Sequence, residues 1–188
     1  MDKTTKLEMF RNELDLIADN DVLNITEEVL SSLPEAFFTK PASSSGHYHP
    51  VECRGEGGLV HHTKLAVSVA VNMFDMYGEF NQYAKDLAIS ALILHDGFKY
   101  GLDGSLEHTT YDHPKLMYEY LVKLAESRTP FNPKDNILLR VAGLIHSHHG
   151  RWDNDGELPK PIASLNKLVH ECDYISSRLH KMNVPYGT

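Results

Sequence analysis

The sequence is poor in cysteine, the residue that holds many small proteins and metal sites together. Its 188 residues include two cysteines, Cys53 and Cys172, and no CxxC pair. Thiolate zinc ribbons and thioredoxin-type redox sites are therefore poorly supported. Nothing marks a disulfide scaffold, although a single disulfide between the two cysteines stays open at this point.

Long apolar runs are also missing. The longest, residues 87–94, contains Ser90, whereas a helix needs roughly 20 apolar residues to span a bilayer. The N-terminal stretch mixes both charges with apolar residues and lacks the apolar centre of a signal peptide. We therefore expect a soluble, cytoplasmic protein that has no membrane partner.

Positive charge is scarce as well. Lys and Arg number 18 against 26 Asp and Glu, which gives a formal net charge of -8. This balance argues against a basic surface for duplex nucleic acid or for an anionic membrane. With 41% hydrophobic and 23% charged residues, the chain has the composition of one ordinary folded domain with a real core.

The signature motifs of several enzyme classes are absent. The sequence has no HExxH, no Walker A motif, no GxSxG and no deaminase pair of HxE with PCxxC. The glycines at 55, 57 and 58 lack the spacing of a dinucleotide fingerprint, and no strand precedes them. We interpret this segment as a turn that leads into a helix.

Apolar residues recur at helical spacing along most of the chain, and no segment alternates as a strand would. The pattern predicts an all-α fold. Residues 1–56 are expected to form a helical extension and an irregular loop packed on the core, and residues 57–188 the main helical domain. The predicted helices cover residues 4–18, 26–33, 59–77, 82–98, 114–127, 134–148 and 162–181.

Histidine is the residue that the sequence has in excess, with 12 in the chain. Imidazole is a switchable base and the commonest metal ligand in proteins. His62 shares a helical face with Leu65, Ala66 and Val69, whereas His61 faces more polar positions. Taken alone, His62 is best explained as a hydrogen-bonded core histidine.

His95 and Asp96 follow directly on the apolar run of residues 87–94. An ionisable pair at the end of a buried helix is costly unless it is paired or binds a metal. Helix capping accounts for His95, because a histidine suits the negative end of the helix dipole. Asp96 opposes that dipole, so a bound cation is the favoured explanation.

Further candidates lie near the ends of other helices or on an apolar helical face. His146, His148 and His149 exceed what the dipole of one helix needs, and Asp173 requires a partner, with a salt bridge to Lys167 or Arg178 as the alternative. Imidazoles and carboxylates with few thiols favour divalent ions such as Mn, Fe, Co, Ni or Mg, with Zn possible. Two such ions can activate water for attack on phosphorus.

The ordered series of His62, then His95-Asp96, then Asp173 resembles the HD superfamily of metal-dependent phosphohydrolases. Residues 57–63, GGLVHHT, are similar to the GGLLEHT-like opening of that family. Residues 95–99, HDGFK, are similar to its HDxGK, with the glycine displaced to position 97 and Lys99 in the place of the lysine. The resemblance covers about residues 57–178.

The resemblance implies an all-helical bundle with a metal site in its core. The implied ligands of a first ion are His62, His95, Asp96 and Asp173, and those of a second ion are Asp96, His113, His148 and His149. It also implies a metal-bound hydroxide as the nucleophile, with Asp96 and Lys99 as catalytic residues and Lys99 on a phosphate oxygen. Of the divalent ions, Mn or Fe is favoured, and Ni, Co, Mg or Zn is possible.

The function implied is a two-metal phosphohydrolase that cleaves a phosphodiester or pyrophosphate bond in a small nucleotide-type substrate. A phosphohydrolase of nucleoside triphosphates or monophosphates is one alternative, and a non-catalytic nucleotide-sensing module is another. Beside Lys99, the candidates for shaping the substrate pocket are Arg54, His49, Lys64, Arg151 and Trp152. Trp152 could stack on a base.

Overall fold

The computed structural model describes residues 1–46, 48–128, 136–150 and 158–179. The helices are α1 (Lys3–Glu8), α2 (Arg11–Leu14), α3 (Asn20–Ser32), α4 (Glu35–Thr39), α5 (Gly58–Tyr77), α6 (Gln82–Leu94), α7 (His113–Glu126), α8 (Ile137–His146) and α9 (Ser164–Arg178). A 3-10 turn spans Val51–Cys53. The all-α prediction is confirmed, since the described residues form helices and contain no strand.

Helix α6 lies at the centre of the bundle, as its apolar run predicts. It packs against α3, α5, α8 and α9, and all its residues from 86 to 94 are buried. The side chain of Asn81 caps its N-terminus by accepting a hydrogen bond from the backbone N–H of Ala84. This arrangement places His95 and Asp96 at the end of the most enclosed helix of the fold.

The residues before α5 join the same hydrophobic core as the rest of the chain. The rings of Phe10, Phe37 and Phe38 are buried and pack on one another with centroids 5.0 to 6.4 Å apart. Buried aromatic side chains make large contributions to the free energy of folding, because each removes a large apolar area from water. Packing therefore crosses residue 56, and the division of the chain at that point stays a prediction.

The N-terminal helices differ from their predicted bounds. The predicted helix at 4–18 is two short helices, because Phe10 leaves the helical conformation (φ −118°, ψ 17°) and buries its ring. Helix α3 starts six residues before the predicted residue 26, at Asn20, since the Asp19 carboxylate accepts hydrogen bonds from the N–H groups of Asp21 and Val22. The irregular loop expected within residues 1–56 contains α4 and the 3-10 turn.

Both cysteines are free and buried, which answers the question of a disulfide. Among the described residues, no helix is long and apolar enough to cross a membrane.

Helix α5 begins at a position that only glycine fits. A Cβ at Gly58 would lie 2.3 Å from the carbonyl oxygen of Cys53, and Gly57 before it has a left-handed φ of +70°. The glycine-rich segment is thus the turn into α5 that the sequence predicts. Because His62 follows one turn later, this close approach of two backbones sets where that side chain enters the core.

We expect Gly58→Ala to lower the free energy of unfolding by about 1–3 kcal/mol, because the added methyl group forces the backbone of Cys53 to move. Gly55→Ala is the matched control, since a Cβ there meets no atom within 4 Å. Thermal unfolding followed by circular dichroism compares the two variants. Equal melting temperatures in both would contradict the steric role of Gly58.

Candidate metal centre

Asp96 is a buried carboxylate whose two oxygens face different groups of histidines. Its Oδ2 lies 3.5 Å from Nε2 of His62 and 3.3 Å from Nε2 of His95. Its Oδ1 lies 2.8 Å from Nε2 of His113 and 4.0 Å from Nε2 of His148. The side chain is 1% exposed, so a charge at this position needs partners of opposite sign.

Asp173 reaches the first of these groups from α9. Its Oδ1 lies 2.9 Å from Nε2 of His62 and 3.5 Å from Nε2 of His95. Helix α5, the end of α6 and helix α9 therefore bring His62, His95, Asp96 and Asp173 to one point in the core. The sequence argument places His62 on the core face of α5 and His61 on its outer face, and their burial confirms this.

A second group of imidazoles lies on the other side of Asp96. His113 is the first residue of α7, and His148 and His149 are in the turn that follows α8. The ligand atoms of these three side chains lie within 4.8 Å of one another. The second group is thus assembled from two helix ends that packing of α7 on α8 brings together.

Backbone hydrogen bonds orient three of these imidazoles. His95, His113 and His148 each place Nδ1 at 2.6 to 2.7 Å from a main-chain oxygen. The acceptors are the carbonyl groups three residues earlier, of Leu92, Thr110 and Ile145. A carbonyl can only accept, so Nδ1 carries a proton, and Nε2 offers a lone pair whenever the imidazole is neutral. Metal-binding histidines are commonly held in this way.

Several polar atoms at the centre are buried and make no hydrogen bond. They are Nε2 of His62, His95 and His113 and Oδ1 of Asp96. Each lies 2.8 to 3.5 Å from an atom of another ligand candidate. Ligands about 2.0–2.2 Å from a shared cation stand roughly 3 Å apart. The residues present therefore fit divalent cations.

Burial and charge set the pKa values at the centre. Burial lowers the pKa of His95, but the charges of Asp96 and Asp173 outweigh it and raise this pKa to about 10. Burial and the neighbouring His113 lower the pKa of His149 to about 3, and burial with His149 holds that of His148 well below its ordinary value. His148 and His149 are thus neutral, as ligation requires, whereas a cation must displace the proton of His95.

Lys99 lies in the turn that follows α6, where its side chain contacts Asp96. Its Nζ lies 2.5 Å from Oδ2 of Asp96, and the Lys99 N–H donates to the Asp96 carbonyl at 3.0 Å. The displaced glycine of this segment has a packing reason, because a Cβ at Gly97 would lie 2.4 Å from the side chain of Met117 and 2.7 Å from that of Leu33. The turn thus packs closely on its neighbours and places the positive charge of Lys99 beside the Asp96 carboxylate.

A cavity of about 400 Å³ opens onto this centre, a size typical of small-molecule sites. Lys99, His149 and Asp173 line its inner part, and its walls include Tyr48, Tyr111, Tyr174 and Arg178. The three tyrosines and Arg178 carry no signal in the sequence that links them, because they come from separate segments.

The other predicted substrate residues fall in different places. Arg54 donates from Nε to the carbonyl of His49 at 2.9 Å and lines a separate cavity. The ammonium group of Lys64 lies 3.6 Å from Glu13, on the side of the N-terminal helices. Arg151 and Trp152 lie outside the described residues, so their contact with substrate stays a prediction.

Helix α9 also supports the turn that carries His148. The ring of His170 has Nδ1 at 2.6 Å from the His148 carbonyl, and Asn166 donates to the hydroxyl of Ser147 at 2.8 Å. Sequence reasoning missed His170. Its position three residues before Asp173, on the same helical face, is the signal that could have found it.

The comparisons with known proteins agree with this geometry. The family model of the HD domain matches residues 59–178. The dihydroneopterin 2′,3′-cyclic phosphate phosphodiesterase of Methanocaldococcus jannaschii is 28% identical over 146 residues, which are 77% of this chain and 54% of that relative. The chain spans about half the length of the relative. No solved structure matches the chain.

Proposed function

The chain belongs to the HD domain family, and from that premise we propose that it is a metal-dependent phosphohydrolase. It cleaves a phosphodiester or pyrophosphate bond in a small nucleotide-like substrate. The observation that carries this proposal is the placement of Asp96, whose Oδ2 faces the buried imidazoles of His62 and His95 and whose Oδ1 faces those of His113 and His148. A carboxylate in this position is suited to bridge two divalent ions.

The residues that would hold the ions fall into two sets joined by Asp96. The first set is His62, His95, Asp96 and Asp173, and the second is Asp96, His113, His148 and His149. A pair of divalent ions held there supplies Lewis acidity and a water molecule of lowered pKa. The donors are nitrogen and oxygen, which favours Mn or Fe and also suits Ni, Co, Mg or Zn.

The net charge of -8 does not oppose an anionic substrate at this centre. Lys99 brings a positive charge to the cavity wall beside Asp96, and bound ions add more. The Lys99 side chain is 13% exposed and lines the cavity, so its ammonium group can meet a phosphate oxygen there. We therefore assign Lys99 to stabilising the charge that develops on the phosphate.

We expect Lys99→Met to lower kcat/KM for a phosphodiester about 10²-fold, as the loss of one preorganised donor does in other enzymes. The metal content should stay at the wild-type level, because Lys99 is not a ligand. Steady-state kinetics and metal analysis of the same preparation measure both. Lys64→Met is the matched control, since Lys64 lies beside Glu13 and away from the cavity. Unchanged kinetics in Lys99→Met would contradict the role.

The cavity walls favour a substrate that carries a planar ring. Tyr48 and Tyr111 are 54% and 74% exposed, and the guanidinium of Arg178 lies 4.8 Å from the ring centre of Tyr48 and 5.8 Å from that of Tyr174. Aromatic and guanidinium planes stack on heterocyclic bases. The volume of about 400 Å³ suits one such ring with its phosphate. The name of the relative, which specifies a 2′,3′-cyclic phosphate, adds support for a small diester.

A hydrolysis screen tests this function. Protein purified without chelator and loaded with Mn²⁺ is offered 2′,3′-cyclic mononucleotides, cyclic dinucleotides, dinucleoside polyphosphates, nucleoside triphosphates and p-nitrophenyl phosphate. We expect turnover of a diester or pyrophosphate substrate that chelator abolishes and Mn²⁺ restores.

The screen also separates the alternatives. Turnover confined to nucleoside triphosphates or monophosphates would move the assignment to that class of phosphohydrolase. Metal-loaded protein that binds nucleotides without hydrolysing any of them would indicate a non-catalytic sensing module.

A further inference from the structure

His49 is a buried histidine at the cavity that neither set of proposed ligands uses. Its side chain is 8% exposed, and its Nδ1 is buried without a hydrogen-bond partner. It lines the same cavity as Lys99 and Asp173. Burying a polar atom without a partner costs stability, so a histidine kept in this position beside a cavity calls for an explanation other than packing.

The position of His49 is fixed from two sides. The His49 carbonyl accepts a hydrogen bond from Nε of Arg54 at 2.9 Å, and the carbonyl of Tyr48 accepts one from Nη1 of Arg178 at 3.2 Å. The imidazole packs edge-on against His62, with ring centroids 4.8 Å apart. Arg54, which the sequence suggested as a substrate ligand, therefore has a positioning contact. The ring is held in place before any substrate arrives.

Metal binding does not account for His49. Within the described part of the chain, the groups of side chains that could hold an ion do not include it, although its ring touches that of His62. It therefore stands beside the first set of ligands and faces the space that a substrate would occupy.

We propose that His49 is a catalytic residue that donates a hydrogen bond to a non-bridging oxygen of the substrate phosphate. The inference rests on the proposed function. An imidazole carries an N–H donor in either tautomer. A phosphate oxygen bound beside Lys99 would be an acceptor within the same cavity. The neutral donor His49 and the cation Lys99 would then both stabilise the negative charge of the phosphate.

A role in packing alone is the competing explanation, and substitutions can separate the two. His49→Phe keeps an aromatic ring against His62 but removes the N–H, whereas His49→Asn keeps a short N–H donor and removes the ring. If His49 binds phosphate, His49→Phe should lower kcat/KM about 10²-fold and His49→Asn no more than about tenfold. If His49 only packs, the order of the two variants should be reversed.

The test combines two measurements on Mn²⁺-loaded protein. One is hydrolysis of bis(p-nitrophenyl) phosphate, and the other is binding of inorganic phosphate by calorimetry, which needs no turnover. His61→Phe is the matched control, because His61 is the exposed neighbour of His62 on α5. We expect His49→Phe to keep its metal and to weaken phosphate binding about tenfold, with His61→Phe unchanged.

Two results would overturn the inference. One is a His49→Phe protein within threefold of wild type in both measurements, and the other is a loss of activity that follows a loss of metal. Should His49→Phe fail to fold, His49→Ala against His49→Asn decides the same question, with Asn expected to be the more active.

The outcome for His49 stays separate from that of the proposed function. A wild-type protein that hydrolyses neither a phosphodiester nor a pyrophosphate refutes the function, while phosphate binding that depends on His49 still supports the contact. A wild-type protein that hydrolyses diesters equally well without the His49 N–H keeps the function and refutes the contact.

Discussion

An Asp96→Ala protein should lose both metal ions and about 10⁴-fold or more of its phosphodiester hydrolysis. The reason is that one carboxylate serves both sets of ligands, through Oδ2 toward His62 and His95 and through Oδ1 toward His113. Without the Asp96 carboxylate, the second set of ligands consists of imidazoles alone and has no negative charge to bind a cation. Asp96→Asn should behave similarly, because it keeps the shape of the side chain and removes the charge.

Metal analysis by mass spectrometry and kinetics with bis(p-nitrophenyl) phosphate measure the effect. Asp86→Asn is the matched control, since Asp86 is a buried aspartate on α6, the helix that ends just before Asp96, and it accepts hydrogen bonds from Asp19 and Gln82. That substitution should lower stability but leave metal and activity in place. An Asp96→Ala protein that keeps both would refute the metal centre.

A His113→Ala protein should keep one ion, lose the other and fall about 10³-fold in activity. Nε2 of His113 lies 2.8 Å from Oδ1 of Asp96, on the side away from His62 and His95. The four candidate ligands of the first ion stay intact in this variant. The expected loss is large because both ions would supply Lewis acidity for attack on phosphorus.

Titration of chelator-treated protein with Mn²⁺ by calorimetry counts the ions. His146→Ala is the control, because His146 is close in sequence to His148 and His149 but is not a proposed metal ligand. Its ring stacks on Tyr118 with centroids 4.2 Å apart. Wild type and His146→Ala should bind two ions per chain and His113→Ala one. Two ions in His113→Ala would remove His113 from the second set.

Particular residues show how far the sequence predicts this protein. The apolar run of α6 predicts the central helix, and the cost of burying Asp96 beside it predicts that partners will gather there. Helical spacing alone is enough to distinguish His62, on the core face of α5, from His61 on its outer face. These inferences are local, since each depends on a residue and its neighbours within one helix.

The remaining features depend on contacts between distant segments. His49 is a pocket candidate in the sequence, but it lies in an irregular stretch without periodicity, so its burial and its contact with His62 could not be predicted. Arg54 has the character of a phosphate ligand, but the His49 carbonyl engages its Nε. The three tyrosines of the cavity wall come from the segment before α5, the loop before α7 and helix α9, so only the tertiary fold brings them to one cavity. Sequence patterns identify candidate functional residues, whereas the packing of the helices determines which residues they contact.

The central claim is that two ions lie on opposite sides of the Asp96 carboxylate. Anomalous scattering from crystals of the Mn²⁺-loaded protein tests it most directly. The account predicts two peaks per chain, one among His62, His95 and Asp173 and the other among His113, His148 and His149, with Asp96 between them. No peak at Asp96, or peaks bound by other residues, would contradict it.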